Sequence, residues 1–455
     1  MNKRRALMGL LALVGVSLAA DANAWGFYTP PHGVRGLGRG GAMVASESDL
    51  NALWYNPALL AGIEGTHVLV DVGLSASSAS FARAPRLLPN GELRFYEEVD
   101  NEASALLAPQ LGIASDFGLD GWVFAFGAFA PNGAVGNYPE DGPQRYTLVD
   151  SEGSVLVTLE LAAAWQVNDW LRVGLGLQNS IIALRLINVE SGFPGTIGDP
   201  EDPDFDILLQ SELSSAFVPS ANMGLWAKAP GGVEFGLGLQ LPMAIKDDDA
   251  RVKTRLPTSP LFDDAVVKGE TVAAELDLPM ILRGGVRYAQ PLWDVELDVV
   301  VEFWSIHDTI KTTPKDIDIE GIPGIGTISV GPLNVERNFQ DALSVRLGGD
   351  YQVVPGVVTV RAGGLFEQSA IPTKTLSVLQ IDMDKVALGI GASFAVSPAV
   401  TLDVGYAHLF YLGAEVTDSE IIQLNPTNPE GSIVVGNGTY SATADLLGVG
   451  MRLGF

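Results

Sequence analysis

The strongest constraint in this chain is an apolar residue at every second position, repeated in segment after segment. In Val233-Glu-Phe-Gly-Leu-Gly-Leu-Gln-Leu241 each odd position is apolar, and the even ones are Glu234, Gly236, Gly238 and Gln240. Residues 171–178, 343–351, 388–396 and 447–455 repeat the pattern. A period of two belongs to β-strands, because a helix with 3.6 residues per turn cannot keep such a row on one face. The second face is mostly Gly, Ala, Ser and Gln with isolated charges. That suits a crowded barrel lumen better than a sheet with one face in water.

Fourteen such segments can be laid out: 67–81, 104–115, 121–130, 154–166, 170–185, 212–228, 232–245, 271–288, 292–309, 340–353, 356–370, 382–396, 400–415 and 439–455. The intervals between them alternate, short ones such as 167–169, 354–355 and 397–399 with long ones such as 186–211 and 310–339. Short turns on one rim and long loops on the other are the arrangement of an outer-membrane barrel, whose lipid-facing strands need no apolar helix. The expected fold is therefore an all-β, transmembrane antiparallel barrel of about fourteen strands.

The start of the chain agrees with export. Lys3, Arg4 and Arg5 precede an apolar run from Ala6 to Ala20 and an Ala-Asn-Ala ending at Ala24, the form of a cleaved secretory signal peptide over 1–24. Acidic residues number 54 against 27 Lys and Arg, a net charge of −27, which becomes −27 − 2 = −29 once Lys3, Arg4, Arg5 and Asp21 are removed. A chain this acidic is a poor ligand for nucleic acid, and with no cysteine it has no disulfide or thiolate chemistry.

Residues 25–66 do not alternate, which places a Gly-rich segment ahead of the first strand. A barrel of this size is too wide for its own side chains to fill, so the segment is expected to plug the lumen, leaving 67–455 as the barrel. Here the chain resembles the FadL-type outer-membrane transporters of long-chain fatty acids and, in their TodX-like branch, aromatic hydrocarbons. The resemblance lies in Gly36-Leu37-Gly38-Arg39-Gly40-Gly41 followed by Asn56-Pro57-Ala58, which look like that family's hatch, and in Val301 to Ser305 and Gly438-Thr439-Tyr440. It implies fourteen strands, an N-terminus reaching an interior ligand pocket (Trp25, Phe27 and Tyr28), basic residues near an acidic head group, and lateral exit at a kinked third strand. Gly127, Pro131 and Gly133 stand at the matching place for that kink, and Arg283, Arg346 and Arg361 are inward-facing cations, with Glu160, Asp298 and Glu302 as inward carboxylates. The favoured alternative for these arginines is that they pair with lumen carboxylates or hold the plug.

Nothing in the sequence points to a reaction or a cofactor. Gly36, Gly38 and Gly41 fit a dinucleotide fingerprint, but no strand precedes them and no βαβ unit follows. His32, His67, His307 and His408 are scattered without ligand spacing, so no metal is expected. Residues 186–211 carry six acids and no base and are expected to form a solvated loop. The expected partners are a hydrophobic small molecule, membrane lipid and lipopolysaccharide, and the barrel assembly machinery through Phe455, with the barrel acting as a monomer. A structural or adhesive barrel, a general porin and an outer-membrane esterase remain as alternative functions.

Overall fold

The computed structural model describes residues 31–455, apart from 47–48, 131–135, 196–198, 324–325, 331–332, 426–427 and 429–430. The expected signal segment, Trp25, Phe27, Tyr28, Pro131 and Gly133 lie outside the described residues. Fourteen strands form the wall: β1 (Thr66–Arg83), β2 (Leu106–Ser115), β3 (Trp122–Phe129), β4 (Val155–Asn168), β5 (Leu171–Ser191), β6 (Asp206–Lys228), β7 (Val233–Gln240 and Met243–Arg255), β8 (Thr271–Leu278 and Ile281–Ala289), β9 (Trp293–Glu302 and Thr309–Lys315), β10 (Leu333–Glu336 and Ala342–Val354), β11 (Val358–Glu367), β12 (Lys385–Ser397), β13 (Val400–Tyr411 and Ala414–Val416) and β14 (Gly438–Gly454). Each pairs antiparallel with the next, and β1 closes the ring on β14 from His67↔Gly454 to Arg83↔Gly438. Closure leaves no unpaired edge, which is what allows a sheet to sit in hydrocarbon.

Alternation works as the sequence requires. Phe235, Leu237, Leu297, Leu347 and Ile390 point outward and are exposed, whereas Glu234, Glu296, Asp298 and Arg346 point inward and are buried. At the short-turn rim Trp122 stacks on Trp165 with ring centroids 5.6 Å apart, an interfacial position that indole rings favour.

Three details differ from the sequence expectation. Residues 186–191 and 206–211 are strand rather than loop, because β5 and β6 pair on from Leu186↔Ser211 to Ser191↔Asp206. Beyond the apolar band both faces of a strand meet polar surroundings, so its period-two signal fades there although the ladder continues. Second, β7 and β8 are each interrupted where Pro242 and Pro279 would face one another, although register is kept from Gln240↔Ile281 to Met243↔Leu278. Proline offers no N–H to the ladder. Third, the ladder runs through Gly127 on both sides of β3 without a register shift, so this glycine does not break pairing as the sequence reading expected.

Candidate functional site

The described residues of 31–63 pack against the strands of the wall. Helix α1 (Val34–Gly38) packs against β11 to β14, while α2 (Ala52–Tyr55) leads into a 3₁₀ turn (Pro57–Gly62) held by β3 to β6. Helices of four and five residues have no stability of their own in water, so tertiary contacts must fix them. Asn56 supplies one set: its side-chain amide donates to the carbonyls of Val44 at 2.8 Å and Leu225 at 2.9 Å, and its Oδ1 accepts from the Ala58 N–H at 3.1 Å. Pro57 follows at the first position of the turn, where its missing N–H costs nothing. The Asn-Pro-Ala motif is thus a cap that also ties the inner segment to the wall.

Arg39 supplies the second set. It is fully buried, and its guanidinium donates to Asp294 at 2.9 Å, Glu296 at 2.8 Å, Asp350 at 2.8 Å and the carbonyl of Ala42 at 2.8 Å. Asp298 accepts from the N–H groups of Met43 and Val44 at 2.8 and 3.1 Å, and Glu296 accepts from Ala45 at 2.6 Å. Arg35 pairs with Asp49 and with Asp350. Asp294, Glu296 and Asp298 stand at every second position of β9 and so project from one face into the lumen. Of these only Asp298 was read as a lumen acid from sequence, although the Asp-x-Glu-x-Asp spacing was there to be read.

The inner wall meets this segment with glycines. A Cβ on Gly389 would stand 1.9 Å from the Leu37 carbonyl oxygen, and one on Gly236 2.0 Å from that of Val44. No larger residue fits while the segment is seated. Within the segment, Gly36 lies against the Tyr55 hydroxyl and Gly38 against the Arg361 side chain.

The three arginines proposed from sequence are all buried and all engaged. Arg283 lies over the Trp54 ring at 4.8 Å, Arg346 contacts Ser344 at 3.1 Å and Glu367 at 3.3 Å, and Arg361 bonds Ser393 and faces Asp350 and Asp403 at 3.4 and 3.6 Å. Arg361 also lines a polar cavity of about 240 Å³ near the short-turn rim, with Arg35, Arg287, Asp294, Asp350 and Arg452. These are contacts that hold the inner segment and the wall together.

Toward the long-loop rim the lumen changes character. Phe129, Ile182, Val218, Met243, Leu278 and Trp304 are buried in one apolar cluster, joined from above by Ile371, Leu376 and Ile381 of the β11–β12 connection. Arg337, just before the second part of β10, is buried beside this cluster with its guanidinium 5.0 Å from the Phe339 ring. Its side chain donates to Gln380 and, among the described residues, contacts no carboxylate; burial lowers its pKa to about 10. Neighbouring His307 is held neutral, its pKa lowered to about 4 by burial and by Arg337, with Nδ1 2.8 Å from the Asp277 carbonyl. Sequence reasoning missed Arg337 because it falls outside any alternating run.

Three of the six acids expected in a solvated loop are instead clamped. Glu201 is buried between Arg83, Arg86 at 2.9 Å, Arg94 at 3.6 Å and the Tyr96 hydroxyl at 2.6 Å. Asp199 takes Arg86 at 2.6 Å and Arg94 at 2.5 Å, and Asp206 takes Arg145 at 2.7 Å.

Finally, β3 is only eight residues long. Gly127 and Gly112 face one another across β2 and β3, and added Cβ atoms there would lie 2.4 Å from Leu53 and 3.3 Å from Leu50 of the inner segment. This glycine pair is backed from inside by two leucines.

The model of a family described as outer membrane protein transport protein (OMPP1/FadL/TodX) matches residues 15–455. Among solved structures, a Pseudomonas aeruginosa FadL homologue superposes with a TM-score of 0.75 at 15% identity, covering 94% of this chain and 100% of that one. The Pseudomonas putida toluene transporter TodX gives 0.63 at 15% identity, covering 94% and 99%. A 47 kDa outer membrane protein of Pasteurella multocida (strain Pm70) is 34% identical over 74 residues, a match spanning 16% of this chain and 17% of that protein.

Proposed function

The chain belongs to the outer membrane protein transport family (OMPP1/FadL/TodX), and from that premise we propose that it takes up hydrophobic small molecules passively through a hatch-closed barrel. The observation that carries this reading is an inner segment anchored by buried ion pairs whose Leu53, Trp54 and Tyr55 join an apolar cluster continuing through Ile182 and Leu278 to Ile371 and Leu376 of the β11–β12 connection. A general porin needs an open aqueous path, which residues 31–63 obstruct. A solute would be captured at the long loops, pass into the apolar cluster and leave when the hatch shifts.

Lateral exit is the route this arrangement favours, between β2 and β3 once Leu50 and Leu53 withdraw from Gly112 and Gly127. The chain lacks cysteine, so the outward pair Leu111 and Ala128, which face one another in the ladder, can be replaced by cysteines without competing thiols. Oxidised L111C/A128C protein should assemble normally yet lose most dodecane uptake by whole cells, with recovery on reduction. Full uptake in the oxidised state would rule out this exit.

Arg337 supports a substrate that bears an acidic head. A guanidinium buried beside apolar side chains is costly unless an anion meets it, and a carboxylate would supply two strong acceptors. Arg337→Met should reduce laurate uptake by ~10-fold or more while leaving dodecane uptake within about twofold, the charge-assisted bond being worth ~1.5–3 kcal/mol. Equal losses for the two solutes would remove Arg337 from recognition. Deleting the whole chain should abolish uptake of both, and unchanged uptake would refute the transport reading itself.

A further inference from the structure

The β1–β2 connection forms a small ribbon, Arg86–Leu87 against Leu93–Arg94, with cross-strand pairs Arg86↔Arg94 and Leu87↔Leu93. Alternation puts Arg86, Arg94 and Tyr96 on one face of it and Leu87, Leu93 and Phe95 on the other. The apolar face is bare, with Leu87, Leu93 and Phe95 exposed by 67, 55 and 74%. The polar face grips Asp199 and Glu201 from the β5–β6 connection. With Arg83 counted, three guanidiniums and a phenol converge on two carboxylates, which leaves one positive charge in surplus within a chain of net charge −27.

We infer that Arg83, Arg86, Arg94 and Tyr96 are a receptor for the anionic head of an amphiphile, with Glu201 as the resident occupant that an incoming head displaces. The chemistry of the site is already that of anion recognition. Paired guanidinium N–H groups and one O–H suit a carboxylate or a phosphate, and the exposed apolar face of the same ribbon offers a surface for the attached chain. The site has an accessible side as well, since Arg86 and Arg94 retain 18 and 34% of their side-chain surface while Arg83 and Glu201 retain 2% each. An anion would engage Arg94 first and reach Arg83 last.

Exchange at Glu201 would also loosen the mouth. The Glu201 carbonyl accepts from Arg145 at 3.0 Å and the Pro200 carbonyl accepts from Gln423 at 2.6 Å, so this short acidic strap joins the β3–β4 and β13–β14 connections to the first. Head-group binding at the ribbon thereby becomes a step that frees the way to the apolar lumen. This deepens the uptake reading and rests on it.

The test is the initial rate of capture by the purified full-length barrel in neutral detergent, with laurate, lipid A and dodecanol as probes. R86A/R94A should slow laurate capture by ~10-fold, and Glu201→Gln should speed it by ~3-fold or more because the internal competitor has lost its charge. Dodecanol, which carries no anion, should not be slowed by R86A/R94A. If lipid A responds and laurate does not, the receptor stands and its ligand is lipopolysaccharide phosphate. Unchanged capture of both anions in R86A/R94A, or slower capture in Glu201→Gln, overturns the proposal. Heat-modifiable gel mobility reports whether each barrel has assembled. Dodecanol uptake by cells carrying R86A/R94A separates the two readings, since retention leaves transport intact whatever the anion result, whereas failure in wild-type cells condemns transport alone.

Discussion

Arg39→Met should turn a closed barrel into a leaky one. The substitution removes a single side chain but leaves buried Glu296 without its cation and takes one cation from Asp294 and Asp350, which keep Arg287 and the pair Arg35 and Arg361 respectively. Breaking a buried pair from one side costs about 3–5 kcal/mol because the partner charge is left without compensation, and here several partners are affected. Water entering beneath the hatch is the cheapest way to solvate them. The ratio of seated to unseated hatch should then fall by roughly two to three orders of magnitude. Planar-bilayer recordings should show steady conductance where the parent protein shows little, and cells should become sensitive to large hydrophilic antibiotics. Heat-modifiable mobility should persist, because the wall keeps all its strand pairings. A quiet channel with an unchanged antibiotic profile would mean that Asn56 and the backbone bonds to Asp298 hold the hatch unaided.

A second expected result reaches the same state without altering any charge. Valine at Gly389 or Gly236 places atoms within about 2 Å of a hatch carbonyl, which no rotamer change relieves. Overpacking of this kind costs ~1–3 kcal/mol or more, and the wall is the more rigid partner because both of its neighbours are hydrogen-bonded to it. The hatch should therefore yield, giving conductance of the Arg39→Met type. Gly284→Val is the control, as an added Cβ there meets nothing within 4 Å. If Gly284→Val leaks as much as Gly389→Val, wall glycines matter for assembly rather than for seating the hatch.

Much of the wall could be read from the sequence because each lipid-crossing strand has to present an apolar side chain outward at every second position. The limits of the strands were less legible where β5 and β6 rise past the apolar band and lose that obligation. The Gly-rich stretch and Asn56-Pro57-Ala58 stood out as motifs because local backbone conformation demands them. Their anchoring did not, since Arg39 finds Asp294 and Asp350 at separations of 255 and 311 residues. The same is true of Arg83 and Glu201, which are 118 residues apart. Charges in loops carry no periodic signature, so residues 186–211 read as solvated acids until their partners on another loop were in place. Arg337 escaped for the opposite reason, having, among the described residues, no charged partner.

The bare glycine lining has a consequence for how such a molecule can diversify. Where wall and hatch touch backbone to backbone, there are no side chains left to vary, and every inward substitution is read as a collision. Above that level, the loops present side chains that can change size and polarity without reaching the closure. Choice of solute and tightness of seal are thus assigned to different storeys of one tube, so the first can drift while the second stays fixed.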